Sequence, residues 1–382
     1  MQFLMKRALC HKIAAIPCCG RTERRIFSTP WMPATWPGSA ANGARKNPSR
    51  LLWKPATVTA KATPTPSSTS MEPAADEVAF ESPAHFRIYK SGRIERLNRP
   101  LALPAGLDEA TGVTSKDVVL DAGTGLSARL YLPKLQAEPS KKLPVLVYFH
   151  GGAFLIESAV SATYHTYVNP LAAAAGVLAV SVSYRLVPEH PLPAAYEDSW
   201  AALQWAASAE DEWIAEHGDV ARLFLAGDSA GANIVHDMLL RASGDGGGPR
   251  IEGAVMLHPW FGGNAPIEGE PEGSSAATAG LWTYACPGAV GGADDPRMNP
   301  LAPGAPPLEK LGCARMLVCA GKKDALYLRD RAYYEAVAAS AWPGDVAWLE
   351  SEGEDHDFFL GKPECENAKK LMDRVGAFIA GA

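Results

Sequence analysis

Leu223-Phe-Leu-Ala-Gly-Asp-Ser-Ala-Gly-Ala-Asn-Ile-Val-His236 is the stretch on which the fold turns. Leu223–Ala226 is a short apolar run of the kind found in buried strands, and Ala230–Ala242 has helical character. Between them stands Gly227-Asp-Ser-Ala-Gly231, a GxSxG joining a strand to a helix. That context predicts a sharp turn that lifts the Ser229 hydroxyl clear of the backbone. The flanking glycines remove side chains that would clash there. A helix opening at Ala230 directs free N–H groups and partial positive charge towards the same point. A serine N-cap would also suit a strand-to-helix turn, so the elbow needs partners elsewhere in the chain.

The same rhythm extends in both directions. Pro144–Phe149, Val177–Val182, Ile251–Leu257 and Met316–Cys319 are continuous apolar runs, and Val346–Leu349 is a weaker one. Such runs are typical of strands covered on both faces, as in parallel sheets. Helical stretches alternate with them: Thr163–Ala175, Ala194–Ala207, Leu328–Ser340 and Cys365–Ile379. Alternation of this kind predicts an α/β fold with a mostly parallel central sheet flanked by helices. Val118–Leu120 and Ala128–Leu132 form two further short strands around the turn Asp121-Ala-Gly-Thr-Gly125. Residues 76–110 are expected to hold a short helix and irregular segments. The stretch from Gly262 to Pro306, rich in Gly, Pro and Ala, is expected to be an irregular insertion of the lid or binding type. The glycine run from Gly244 follows a helix rather than a strand, which argues against a phosphate cradle.

The elbow finds its partners. His150-Gly-Gly-Ala-Phe154 directly follows the strand ending at Phe149. It matches the HGGG-type loop, with Ala153 at the third glycine. Backbone N–H groups of Gly151 and Gly152, with that of Ala230, are the candidate oxyanion donors. Asp324 lies just past the strand Met316–Cys319, where sites gather in open α/β sheets. Asp330, its nearest competitor, falls inside the next helix. His356 occupies the loop after the last strand and is the only histidine downstream of Asp324. The order Ser229, Asp324, His356 makes these the candidate nucleophile, acid and base of a serine hydrolase. His150 is expected to organise the oxyanion loop, His165, His190, His236 and His258 to be structural, and His11, His85 and His217 to be exposed. No metal-ligand spacing links them, and the mechanism requires no cofactor.

Bulk properties narrow the classes further. With 47% hydrophobic and 20% charged residues, the 382-residue chain is of ordinary globular composition. The net charge is −6, but residues 1–70 hold eleven Lys and Arg against one acid, Glu23, which leaves −16 on the rest. A body this acidic repels polyanions, so nucleic acid is not an expected partner. No apolar run is long enough to span a bilayer, so no membrane is expected. Seven cysteines at irregular spacing suggest reduced thiols in an intracellular compartment. Residues 1–75 are expected to be a disordered leader or an organelle transit peptide. Met71 offers an alternative start, which makes the compartment plastid or mitochondrion in one case and cytosol in the other.

The motifs together resemble one family. Tyr148-Phe-His-Gly-Gly-Ala-Phe, Ser183-Tyr-Arg-Leu-Val-Pro-Glu-His-Pro-Leu-Pro-Ala-Ala-Tyr-Glu-Asp-Ser-Trp200, Gly227-Asp-Ser-Ala-Gly-Ala-Asn-Ile, Lys323-Asp-Ala-Leu-Tyr-Leu-Arg-Asp-Arg331 and the His356 loop are similar to those of plant carboxylesterases. These belong to the hormone-sensitive-lipase-like, gibberellin-receptor-like group of α/β-hydrolases, and the likeness spans about 78–382. Ser183 and Val187 depart from the family's common Asp and Ala. The resemblance implies an α/β-hydrolase domain over 76–382, with a cap drawn from about 76–110 and part of 262–306. It also implies a small-molecule ester substrate, with Phe154 lining its pocket. The family includes receptors that have lost the catalytic histidine; His356 counts against that reading. It also includes 2-hydroxyisoflavanone dehydratases and lactone-forming tuliposide-converting enzymes, and fold and triad do not choose among these reactions.

Overall fold

Each apolar run became a strand, and strict alternation along it feeds two separate cores. The computed structural model describes residues 76–381 apart from 83–84, 98–99, 136–141 and 245–246, all within the unit Met71–Ala382. The expected leader, 1–75, lies outside the described residues.

The chain opens with β1 (Val78–Ser82), β2 (Phe86–Tyr89) and β3 (Ile94–Arg96), an antiparallel three-stranded sheet in the order β1-β2-β3. This corrects the helix expected in 76–110. Phe86 and Ile88 are buried while Arg87 and Tyr89 are half-buried, the period of two that a helix cannot use. After β4 (Leu107–Asp108) come β5 (Val113–Asp121), β6 (Leu126–Leu132), β7 (Leu143–Phe149), α1 (Ala162–Ala175), β8 (Leu178–Ser183), α2 (Ala194–Ser208) and α3 (Glu212–His217). Then follow β9 (Gly218–Asp228), α4 (Ala230–Ala242), β10 (Ile251–Leu257) and α5 (Ser274–Ala285). The chain closes with β11 (Cys313–Gly321), α6 (Tyr327–Ala339), β12 (Asp345–Ser351), α7 (Phe358–Gly361) and α8 (Glu366–Ala380).

The main sheet has nine strands in the order β12-β11-β10-β9-β7-β8-β6-β5-β4. Strands β8, β7, β9, β10, β11 and β12 run parallel, and β4, β5 and β6 join antiparallel at one side. Val145, Val147 and Phe149 bury into one core with Leu223, Leu225, Ile234 and Met238. Leu146 and Tyr148 bury into the other, with Phe224, Ala226, Leu171, Leu371 and Phe378. A continuous apolar strand is therefore two half-strands of opposite facing, which is why a two-faced parallel sheet needs no polar alternation.

After β7 the chain crosses to β8 on one side and returns to β9 on the other. The crevice beyond the carboxyl ends of β7 and β9 is thus a topological switch point, where open α/β sheets bind ligands. Phe149 pairs with Gly227, so the two strands end level. The stretch expected to be irregular after Gly262 contains the twelve-residue helix α5, with Thr278, Leu281, Trp282 and Ala285 buried at helical spacing. The small sheet is tied to the main body by Arg96. Its guanidinium donates to Leu155 O at 2.7 Å and Val187 O at 2.9 Å, and pairs with Glu189 at 2.8 Å. Cys286, Cys313, Cys319 and Cys365 are free thiols.

Candidate active site

Ser229 sits at φ 50°, ψ −117°, a conformation that a non-glycine residue adopts only under strain and that active sites retain. The surrounding packing enforces it. A Cβ on Gly227 would come within 2.5 Å of the Gly231 backbone, and a Cβ on Gly231 would overlap the carbonyl oxygen of Phe149. The elbow is therefore pressed against the end of β7 through two side-chain-free positions. Ser229 N–H donates to Leu257 O at 2.9 Å, and Ser229 O accepts from Trp260 N–H at 3.0 Å, which locks the turn to β10.

The three residues separated by 127 positions in the chain meet here. His356 Nε2 lies 2.9 Å from Ser229 Oγ, and His356 Nδ1 lies 2.6 Å from Asp324 Oδ2. Asp324 Oδ1 accepts the Leu326 N–H at 2.9 Å. Burial alone would raise the Asp324 carboxyl, but His356 and His258 outweigh it and hold the group below the usual carboxylate range. Asp330, the competitor, is fully buried in the first turn of α6 with neither oxygen hydrogen-bonded among the described residues. Burial pushes its carboxyl well up, as expected for an acid that stays protonated.

The oxyanion loop differs from expectation in one respect. Gly151 N–H does not face the cavity: it donates to Tyr164 Oη at 2.7 Å and Asp228 Oδ1 at 3.2 Å. Asp228 also accepts from Tyr148 Oη at 2.7 Å and Tyr164 Oη at 2.6 Å, so Gly151 belongs to a buried brace beneath the loop. The N–H groups of Gly152, Ala153 and Ala230 meet no acceptor among the described residues, and Gly152 and Ala153 line the cavity. The turn does this through positive φ at Gly152 (100°), Ala153 (54°) and Phe154 (65°). His150 stacks on Tyr184 at 4.2 Å, its Nδ1 is 2.8 Å from Gly151 O, and burial pushes its pKa down to about 4. It organises the loop as a neutral ring.

The cavity in front of Ser229 holds about 910 Å³. Phe80 and Phe86 of the small sheet, Ile156, Trp260, Leu281 and Leu326 supply its apolar wall. Phe154 is not on that wall. The positive-φ turn directs it inward, where it is fully buried against Tyr184, Tyr196 and Trp260.

Two residues close to the triad carried no sequence signal. His258 Nδ1 stands 2.9 Å from the same Asp324 oxygen that faces His356. Asp357 Oδ2 lies 3.2 Å from His356 Nε2. Burial raises the Asp357 carboxyl, His356 opposes this, and Asp228 beside it adds to the rise. For His356, burial pulls the imidazole down, yet Asp357 and Asp324 raise it above the ordinary histidine range. Replacing Asp357 by Asn removes the first of these pulls and lowers the His356 pKa. Asn tolerates the left-handed φ of 47° found there. The acid limb of a kcat/KM pH profile should therefore move to lower pH in Asp357→Asn, and turnover at mildly acid pH should rise. An unmoved limb would show that Asp357 does not act on the base.

Among the described residues, His258, His356 and Asp357 place donor atoms within 4.8 Å of one another. The Nδ1 atoms of both histidines already face Asp324 and His356 Nε2 faces Ser229, so the cluster is first a hydrogen-bonded one. No helix among these residues is long and apolar enough to cross a membrane.

Comparison with known proteins places the fold. A family model described as alpha/beta hydrolase fold matches residues 146–360. A 2-hydroxyisoflavanone dehydratase from Glycyrrhiza echinata is 47% identical over 79% of this chain and 96% of its own. A probable carboxylesterase 2 from Arabidopsis thaliana is 42% identical over 81% and 98%. An amyloplastic tuliposide A-converting enzyme b3 from Tulipa gesneriana is 44% identical over 83% and 84%. Among solved structures, esterase LipW from Mycobacterium marinum is 26% identical with a TM-score of 0.60, over 71% of this chain and 82% of that one. The esterase from Pyrobaculum calidifontis is also 26% identical, with a TM-score of 0.59 over 70% and 85%.

Proposed function

This chain belongs to the α/β-hydrolase family, on the plant carboxylesterase branch, and is a carboxylic ester hydrolase; we propose that it works through an acyl-enzyme on Ser229. The observation that carries this is the continuous chain from Ser229 Oγ through His356 to Asp324 at 2.9 and 2.6 Å.

In the proposed reaction, Ser229 Oγ attacks the ester carbonyl as His356 Nε2 takes its proton. Asp324, ionised, accepts the Nδ1–H and stabilises the imidazolium. The N–H groups of Gly152, Ala153 and Ala230 receive the oxyanion, and the α4 N-terminus adds partial positive charge. His356 then protonates the leaving alcohol, and water repeats the sequence to release the acid. Gly152 and Ala230 keep the role the sequence suggests, whereas Ala153 takes the one expected of Gly151. The small sheet β1–β3 and the region around α5 act as the cap, because Phe80, Phe86 and Leu281 form the roof and wall of the cavity.

The substrate is a small-molecule ester with apolar parts that fit this wall. A second reading, dehydration in the same cavity, is favoured by the identity to the Glycyrrhiza dehydratase. The plastid is the proposed compartment, supported by the basic 1–70 stretch and by relatives described as amyloplastic or chloroplastic.

The test is product analysis. Short p-nitrophenyl esters should give acid and phenol in equal amounts in residues 71–382, and His356→Ala should lower kcat by about 10⁴-fold or more. Turnover of 2-hydroxyisoflavanone to a dehydrated product, with no ester cleavage, would favour the second reading instead.

A further inference from the structure

His258 lies outside the Ser-His-Asp set, yet it touches the acid of that set directly. It follows β10, the strand next to β9, and its N–H donates to Cys319 O at 2.8 Å. Two residues on, Trp260 N–H donates to Ser229 O at 3.0 Å. One short turn therefore grips both the strand that ends before Asp324 and the nucleophile elbow. The ring is 1% exposed, packed by Phe358 and Phe359 and set at 76° to the His356 ring with centroids 5.7 Å apart. A Cβ on Gly321 would stand 3.0 Å from His258 Cε1 and closer still to two backbone oxygens, so β11 ends in glycine where the ring must fit.

We propose that His258 is a positioning residue of the esterase site: its Nδ1–H, bound to Oδ2 of Asp324, fixes the carboxylate's rotation and divides its charge between two imidazoles. This rests on the assignment of Ser229, His356 and Asp324 as the reacting groups. Asp324 has three donors around it. Leu326 N–H holds Oδ1, while His258 and His356 share Oδ2. With one oxygen pinned by backbone and the other by a buried ring, the carboxylate cannot turn away when the His356 ring moves between alcohol and leaving group. The tautomer follows from the partner, since an ionised carboxylate only accepts and Nδ1 must carry the proton. Asp357 N–H, 3.4 Å from the same nitrogen, is then an approach without an acceptor. Burial lowers the His258 pKa, so the ring stays neutral beside its charged neighbours.

A carboxylate that serves two donors pulls less on each, so His258 holds down the basicity of His356. The other charged and titratable groups around His356 are Asp324, Asp330 in α6, Asp357 in its own loop and Asp228 at the end of β9. All of them remain when His258 is replaced.

Three substitutions separate positioning from packing, assayed with p-nitrophenyl butyrate beside the native chain and Ser229→Ala. His258→Asn keeps an N–H where Nδ1 stands; His258→Gln moves the amide to the Nε2 side; His258→Leu removes the donor. We expect Asn to retain kcat within about threefold, and Gln and Leu to lose about 10–100-fold in kcat with KM nearly unchanged. The acid limb of kcat/KM should move to higher pH in Gln and Leu and stay in place in Asn. If Leu does not fold, the contrast between Asn and Gln decides. Equal loss in Asn and Gln with no shift of the limb, or native kcat in Gln, would overturn the proposal while leaving Ser229-dependent turnover intact. A native chain whose turnover is unchanged by Ser229→Ala would instead overturn the nucleophile assignment, and this proposal with it.

Discussion

Ser229→Ala should fold as the native chain does and lose about four to six orders of magnitude in kcat. The substitution removes one oxygen and no packing. Ser229 is 7% exposed, its backbone bonds to Leu257 and Trp260 involve main-chain atoms only, and alanine meets the φ of 50° at a cost similar to that of serine. Stability should therefore stay within about 1 kcal/mol of native. The catalytic loss is large because every later step depends on the bond that Oγ forms. The free N–H groups of Gly152, Ala153 and Ala230 remain, so a small residual rate over solution hydrolysis should persist. Steady-state turnover and thermal unfolding of the two proteins check both halves. Retained turnover would remove Ser229 from the reaction, and a lost fold would mean that the hydroxyl supports the elbow.

Gly231→Ala should be among the most destabilising single substitutions in the chain. Helix propensity argues the other way, since alanine is favoured over glycine within a helix by about 1 kcal/mol. Sterics win here. The new methyl would overlap the Phe149 carbonyl oxygen and sit 2.6 Å from its carbon and 2.8 Å from His150 O. All three are backbone atoms at the end of β7, so relief requires α4 to move off the oxyanion loop. A cost of about 3–5 kcal/mol is expected, with activity lost in whatever fraction folds, because the Ala230 N–H moves too. Gly280→Ala in α5 is the control. Nothing lies within 4 Å of its Cβ, so the change should be neutral or stabilising by up to about 1 kcal/mol. Denaturant unfolding of both variants measures the contrast. Equal effects would show that close approach at Gly231 is not what the elbow requires.

Most of the sheet, and the three residues that meet at the elbow, could be read from the sequence because their signals are local. A buried parallel strand announces itself as an apolar run, and an elbow as GxSxG between strand and helix. What escaped depends on geometry that residue type does not record. Which N–H of the Gly151-Gly152-Ala153 turn faces the cavity follows from three successive positive φ values, not from the presence of glycine. The same turn sends Phe154 into the core. His258 gains its partner only when β10 and β11 lie side by side. Two of the differences do have a signal in the sequence. Phe86-Arg-Ile-Tyr89 alternates as a strand does, but over only four residues. Thr278, Leu281, Trp282 and Ala285 recur at helical spacing within a stretch whose Gly and Pro content hid it.

Irreversible phosphonylation reads out whether a single serine carries the acyl group, because the adduct cannot turn over. A fluorophosphonate should add once per chain, map to the peptide containing Ser229, and abolish esterase activity in proportion to labelling. An adduct on another residue, or full activity in fully labelled protein, would remove Ser229 as the acyl carrier.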